Sequence, residues 1–261
     1  MARNMFAKRI LLLSAVIASF SILAGCGGSN VKPVLDAEDQ LKLATQLYED
    51  GKYLKAESEF QRFIYNYPGN NAVDTAQFYL AMSYYMDKDY TLAAGEFNKV
   101  LTLFPSSEFA DDSQYRLAMC HYHQSPHFAL DQTDTEIAIE NFMTFLDYYP
   151  FSEHADSANV YLTEMRDKLA KKAFRTARLY QKLKRFEPAV IYYDKVIDLY
   201  PESPYVPESV YRKAECYLEL EQYEDARQAL FEFIDTFKDH EFYKEATEKL
   251  RKLEDLPRAE G

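Results

Sequence analysis

Between residues 37 and 238 the apolar positions return every three or four residues, with no alternating Val/Ile/Thr run, which is the spacing of one buried helix face. An aromatic-proline pair punctuates the pattern at Tyr67-Pro68, Phe104-Pro105, Tyr149-Pro150 and Tyr200-Pro201, and Phe237-Lys238 is a degenerate fifth. The second members stand 37, 45, 51 and 37 residues apart, so the chain reads as a repeat carrying two insertions. Twelve residues before each lies Ala56, Ala93, Ala138, Ala189 or Ala226; eight before, Phe60, Phe97, Phe142, Tyr193 or Leu230; five before, Phe63, Val100, Phe145, Val196 or Phe233. A small residue, a large one at i+4 and an apolar one at i+7 share one helix face. Fifteen residues before the second member stand Tyr53, Tyr90, Phe186 and Tyr223, with Thr135 the exception, and nine further back Ala44, Ala81, Ala177 and Ala214 mark a preceding helix.

The unit is therefore helix A, a tight turn, helix B, and a proline that stops helix B. Five units follow, at about residues 37–69, 70–106, 107–151, 152–202 and 203–238, and the Glu- and Lys-rich segment within 239–261 reads as a polar capping helix. Asn70, Ser107, Ser152 and Ser203 fall where they are expected to cap the next helix A. This grammar resembles the tetratricopeptide repeat (TPR), which implies an all-α solenoid of five helical hairpins with the A helices lining a concave groove. The insertion in unit three, Tyr122 to Asp134, is expected to lengthen the A-to-B turn by about eight residues. The one in unit four, from Ser152 to about Lys184, has no Pro or Gly and predicts a single helix of nearly thirty residues.

The N-terminus departs from this pattern. Arg3, Lys8 and Arg9 precede an apolar run from Ile10 to Leu23, too short for a bilayer span, and Leu23-Ala24-Gly25-Cys26 follows. The order resembles a bacterial lipobox. It implies that 1–25 is a lipoprotein signal peptide, that Cys26 becomes a new N-terminus carrying diacylglycerol and an N-acyl chain, and that 26–36 is a lipidated flexible tether. Gly27, in place of the aspartate that retains enteric lipoproteins at the inner membrane, implies export to the outer membrane.

The formal charge of −12 argues against nucleic acid as a partner and leaves the lipid as the only expected membrane contact. Phosphate loops, nucleophile elbows and His-Glu-x-x-His are absent from the sequence, so no enzyme and no cofactor are expected. Cys120 and His123, with His121 and His127 nearby, have the spacing of a metal pair. Cys120, however, shares its repeat position with Cys216 and Ser83, and His121 shares its own with Tyr84, Tyr180 and Tyr217, which favours packing and no metal.

In the repeat register, Leu41 and Tyr48, then Phe78, Met82 and Tyr85, then Tyr115, Met119 and Tyr122 form a stripe along the A helices of units one to three. Either these side chains pack on the next helix A, or they line a groove for an extended, aromatic-bearing peptide. Arg166, Lys171, Arg175 and Arg178 lie on the long helix and make it the one basic region of an acidic chain. It is a solvated face or a docking surface, and with Tyr211 these are the candidate docking residues.

Lipobox, tether and five such units resemble the BamD family of outer-membrane assembly lipoproteins. The specific part is Met165 to Pro201, MRDKLAKKAFRTARLYQKLKRFEPAVIYYDKVIDLYP, where Leu169-Ala170, Phe174, Ala177 and Tyr180 match the family's long-helix stretch. The resemblance implies a scaffold on the periplasmic face of the outer membrane. Its N-terminal repeats would meet the C-terminal strands of unfolded barrel proteins, its C-terminal repeats the POTRA domain of a BamA-like barrel subunit, and other assembly lipoproteins would join. Members with an Arg early in helix B of unit four differ from this chain, which has Ala189-Val190-Ile191-Tyr192, so a salt bridge from that position does not carry over. The alternatives are a lipoprotein of another envelope machine, such as a secretin pilotin or a cell-wall coordinator, and a metalloenzyme using Cys120 and His123.

Overall fold

The structure, a computed structural model, describes residues 35–255. The signal segment, Cys26 and most of the tether lie outside the described residues. Among those described, every element is a helix: α1 Ala37–Glu49, α2 Tyr53–Asn66, α3 Val73–Met86, α4 Tyr90–Leu103, α5 Ala110–Gln124, α6 Thr133–Tyr148, α7 Ala155–Lys182, α8 Phe186–Leu199, α9 Val206–Glu219, α10 Tyr223–Thr236 and α11 Tyr243–Glu254. They pair as five antiparallel hairpins followed by α11, each helix packing on its neighbours in the chain.

Both kinds of connection follow from local chemistry. Four hairpins turn through three residues whose middle member, Gly51, Lys88, Lys184 or Glu221, is left-handed (φ 57° to 71°). Each makes a Schellman closure, with the following N–H donating back to Leu47, Tyr84, Tyr180 or Tyr217 at 2.8–2.9 Å. At the other end, the residue before each proline leaves the helical region (φ −129° to −134°, ψ 50° to 55°), as the pyrrolidine ring demands. Phe237 does the same before Lys238 (φ −116°, ψ 56°), so packing also sets this turn where proline is missing.

The expected caps act elsewhere. Asn70, Ser107, Ser152 and Ser203 stand three residues before the helix, and the caps themselves are Ala72, Phe109, His154 and Tyr205. Their side chains instead accept from the backbone N–H two residues on, at 2.9–3.5 Å, and hold the six-residue linker in two successive turns. His240 Nδ1 does this before α11 at 3.3 Å.

All fifteen helix-B face residues read from the repeat are at most 1% exposed, and so are Ala44, Ala81, Ala118, Ala177 and Ala214 of the A helices. Alanine is needed there because any larger side chain would hold the crossing helices apart. Thr135, the exception in the register, is also buried and bonds Gln132 and Ser125.

The insertions differ in kind. In unit three the turn has eight residues, 125–132, where the others have three, and longer α5 and α6 absorb the rest. In unit four all the extra length enters α7, 28 residues long. Its first half, with Ala158 and Met165, closes the core of unit three. Its second half, from Ala170 to Ala177, is helix A of unit four and opens the next core. The units it joins differ inside. Gln40, Gln77 and Gln114 reach helix B to bond Glu59, Glu96 and Asn141 at 2.6–3.1 Å. Ala173 and Val210 take that position in units four and five.

Candidate functional site

The aromatic stripe has two parts with different fates. Phe78 stacks on Phe109 (4.5 Å between centroids, 12°), Tyr115 on His154 (4.3 Å, 9°), Phe174 on Tyr205 (5.2 Å, 30°) and Tyr211 on Phe242 (4.7 Å, 21°). In every case the partner is the residue that caps the next helix A. One ring per unit thus locks the next unit in place, while Leu41 packs against the first core, as Ala72 does. Phe78, Tyr115 and Tyr211 are buried under these stacks and Met119 in the core of unit three, so of the two alternatives these side chains follow packing and are not available as contact residues.

Tyr48, Met82, Tyr85 and Tyr122, with Leu41, stay half-buried. Tyr48 lies edge-on to Tyr79 at 5.2 Å. Tyr85 shares a hydrogen bond with His123 Nε2 at 3.0 Å, and His123 stacks on Tyr90 at 4.7 Å, where burial lowers its pKa. Tyr122 donates to Glu164 at 3.0 Å, and burial together with that carboxylate pushes its pKa up to about 12.

Two groove residues escape the stripe. Arg116 places its guanidinium 5.5 Å from the Tyr85 ring and 5.6 Å from that of Tyr115, and His123 lies further along α5. Both follow a stripe member by one residue. The signal was present: in a helix that turns 100° per residue, the neighbour of a groove residue shares the groove's edge.

The metal pair separates in function. The Cys120 thiol is buried in the core between units two and three, its pKa pushed up to about 12 by desolvation, while His123 takes Tyr85 and His121 takes Asp134 at 3.1 Å. Cys216 is buried likewise.

The basic region is largely engaged within the chain, because the unit-three loop folds back on α7. Lys168 donates to Ser125 Oγ at 2.8 Å, Lys172 to the Leu130 carbonyl at 2.6 Å, and Lys171 lies 4.8 Å over Phe128. A cleft of about 440 Å³ lies between this loop, α7 and the Pro204-Tyr205 turn. Arg166 pairs with Glu202 and donates to the Leu199 carbonyl at 2.8 Å. Of the five candidate docking residues only Arg175 is exposed.

Further along, an alternating chain of charge crosses three helices: Arg178 to Glu208 (2.6 Å), Glu208 to Arg212 (3.1 Å), Arg212 to Glu215 (2.8 Å), Glu215 to Lys249 (2.6 Å). Lys249 also donates to Tyr211 Oη at 2.6 Å. The groove of units four and five is thus filled by its own ion pairs, whereas that of units one to three presents tyrosine, methionine and one arginine.

Stacked hairpins, ring-on-cap locks and a groove lined by A helices define a tetratricopeptide-repeat scaffold. The chain belongs to the outer membrane lipoprotein family YfiO, whose sequence profile matches residues 35–233. It is similar to the outer membrane protein assembly factor BamD of Rickettsia prowazekii (strain Madrid E), 27% identical over 227 residues that cover 84% of this chain and 88% of the relative. Similar solved structures include the TPR2AB domain of yeast Sti1 in complex with an Hsp90 peptide (13% identity, 84% and 83% of the two chains, TM-score 0.42). Another is a thermophilic TPR protein of Thermus thermophilus (16% identity, 85% and 100%, TM-score 0.36).

Proposed function

We propose that this lipoprotein is a scaffold of an outer-membrane β-barrel assembly machinery, held at the periplasmic face by acyl chains on Cys26. Units one to three bind the extended C-terminal strands of unfolded barrel proteins. Units four and five dock the POTRA domain of a BamA-like barrel subunit, with Arg175 the accessible basic residue at the start of that half, and other assembly lipoproteins join. The observation that carries this reading is the division of the groove. Its N-terminal half keeps half-buried Tyr48, Met82, Tyr85 and Tyr122 and a guanidinium, groups that adapt to an incoming strand, while its C-terminal half is closed by ion pairs and offers a rigid outer surface.

The test is titration of the full chain, purified in detergent, with a labelled peptide that ends in an aromatic residue. Tyr85→Ala and Tyr122→Ala are expected to weaken binding about tenfold or more, as for a groove hot spot. Unchanged affinity in both would sink the groove. For the second half, recovery from native membranes of a barrel protein with POTRA domains supports the reading, and recovery of a secretin in its place overturns it.

A further inference from the structure

We propose that Glu57 makes the attachment of unit one to unit two sensitive to acid: while its carboxyl holds a proton at the interface the two units clasp, and when the proton leaves they loosen. Glu57 lies on α2, eleven residues before Pro68, on the face that meets the next unit. It is 8% exposed, and its Oε1 has no hydrogen-bond partner. The other units fill this position differently. Ala94, Ile139 and Val190 are apolar and buried or half-buried, and Arg227 donates to the Leu253 carbonyl in the last turn of the next helix at 3.0 Å. A small or apolar residue suits the contact, and a cation suits the negative end of the helix it faces. Unit one alone places a carboxyl there.

The surroundings make the charged form costly. Asp87 ends α3, and Asp89 caps α4, its side chain accepting from the Leu92 N–H at 3.1 Å; both repel a charge on Glu57 from across the interface. Tyr84, whose hydroxyl accepts from Gln61 at 2.7 Å, stands beside them, and its pKa is raised by burial and then by Glu57, Glu96 and Asp89. Lys88, between the two aspartates, is exposed, and among the described residues no cation forms an ion pair with Glu57; no group of α1 acts on its carboxyl. Burial first, and the two aspartates second, therefore raise the Glu57 pKa above the usual 4.5. A carboxyl raised on folding contributes its full stability below 4.5, loses it as pH climbs through the higher folded value, and is level beyond. The effect falls on the end of the groove, because unit one meets the rest of the chain through α3, and Tyr48 touches Tyr79 edge-on at 5.2 Å across the same interface.

The experiment is hydrogen exchange of the full chain in detergent between pH 4.5 and neutrality, read as protection factors so that the intrinsic pH dependence of amide exchange drops out. In the wild type, protection of α1 and α2 is expected to fall about tenfold over this range, the scale of a buried charged group left unpaired, while α8 and α10 keep theirs. Glu57→Gln preserves the shape and removes the titration, so α1 and α2 should hold the protection of the acid form at every pH. Asp87→Asn takes away one of the repelling charges and is expected to move the wild-type fall to lower pH. Level protection of α1 and α2 in the wild type, or a Glu57→Gln chain that still loses it as pH rises, would overturn the proposal. So would a fall shared by all helices and untouched by Glu57→Gln, which would assign the pH dependence to the whole fold. Peptide binding enters none of these readouts, so the outcome is independent of the peptide reading.

Discussion

The rings of Tyr115 and His154 lie almost parallel, 4.3 Å apart, although 39 positions separate them and one belongs to helix α5 while the other caps α7. The imidazole is held a second time, by Asp112 at 2.8 Å. Losing the stack in His154→Ala is expected to cost about 1 kcal/mol. In a chain of this size that lowers Tm by roughly 2–4 °C. His154→Phe keeps the stack and gives up only the Asp112 bond, so it should recover most of the loss. Differential scanning calorimetry of the two variants decides, and equal Tm for both would mean the stack contributes nothing.

The same pair shows what the sequence made legible. The alanines, and the large residues eight and five positions before each punctuating residue, all proved buried, because local helix spacing alone sets them, whereas those fifteen before it stay partly open and Tyr223 is exposed. Which of its two alternatives the stripe takes at Phe78 and Tyr115, and that Tyr211 is a lock, was hidden, because their partners sit at the cap of a later helix, 31 to 39 positions away. Arg116 was legible in position, one residue after a stripe member, but not in its surroundings. A solitary arginine says little until the rings of Tyr85 and Tyr115 are seen beside it.

Lys88, Lys184 and Glu221 hold left-handed backbone that in unit one falls to Gly51. A side chain with a Cβ costs roughly 1–2 kcal/mol there relative to glycine, partly offset by the freedom glycine gains in the unfolded chain. Each change to glycine is therefore expected to stabilise by about 0.5–1 kcal/mol. Gly51→Ala should destabilise by a similar amount, although a Cβ at that position meets nothing within 4 Å. Urea melts of the four variants measure the signs, and a destabilised Lys88→Gly chain would contradict the account.

The chain of charge through Glu215 gives stability a pH dependence. Burial alone would raise the Glu215 pKa, but hydrogen bonds from Lys249 and Arg212 outweigh it and hold the carboxyl below its usual 4.5, while its partners raise that of Lys249. A carboxylate depressed on folding contributes its full stability above 4.5 and loses it as pH falls through the lower folded value. Wild-type Tm is thus expected to be level around neutrality and to drop below about pH 4.5, with Glu215→Gln losing about 2 kcal/mol at pH 7 and showing a shallower acid decline. A variant whose acid limb parallels the wild type would show that other carboxylates govern it.

Gln132 is 4% exposed, and its Nε2 donates to the carbonyls of His127, Leu130 and Asp131 at 3.0–3.1 Å, while Oε1 accepts from Thr135 at 2.9 Å. One amide therefore organises the whole 125–132 loop. Gln132→Ala removes one donor from each of three carbonyls, of which that of His127 keeps the Leu130 N–H and that of Leu130 keeps Lys172, and is expected to cost about 1 kcal/mol. Hydrogen exchange should quicken in 125–132 and at the α7 residues beneath it, and hardly at all in α1 to α4. Uniform acceleration along the chain would show that the amide supports the global fold and not the loop.

Helix α7, like α3 and α5, is shared between two cores, but it is shared end to end, with Met165 in the first and Ala170 in the second, and Arg166, Asp167 and Lys168 forming the seam. In a solenoid each unit is stabilised by itself and by its neighbours, so cooperativity passes along the chain only as far as the interfaces carry it. Here the carrier is a run of helix, supported by the Lys168 bond to Ser125. Replacing Asp167 and Lys168 together by glycine weakens the helix by about 2 kcal/mol while leaving both cores intact. The urea transition is then expected to broaden and split, so that near-UV signals of α8–α11 and of α1–α6 no longer coincide, whereas in the wild type they do. A single coincident transition at lower urea in the double variant would mean that the cores are coupled through the loop and the Arg166–Glu202 pair, not through the helix.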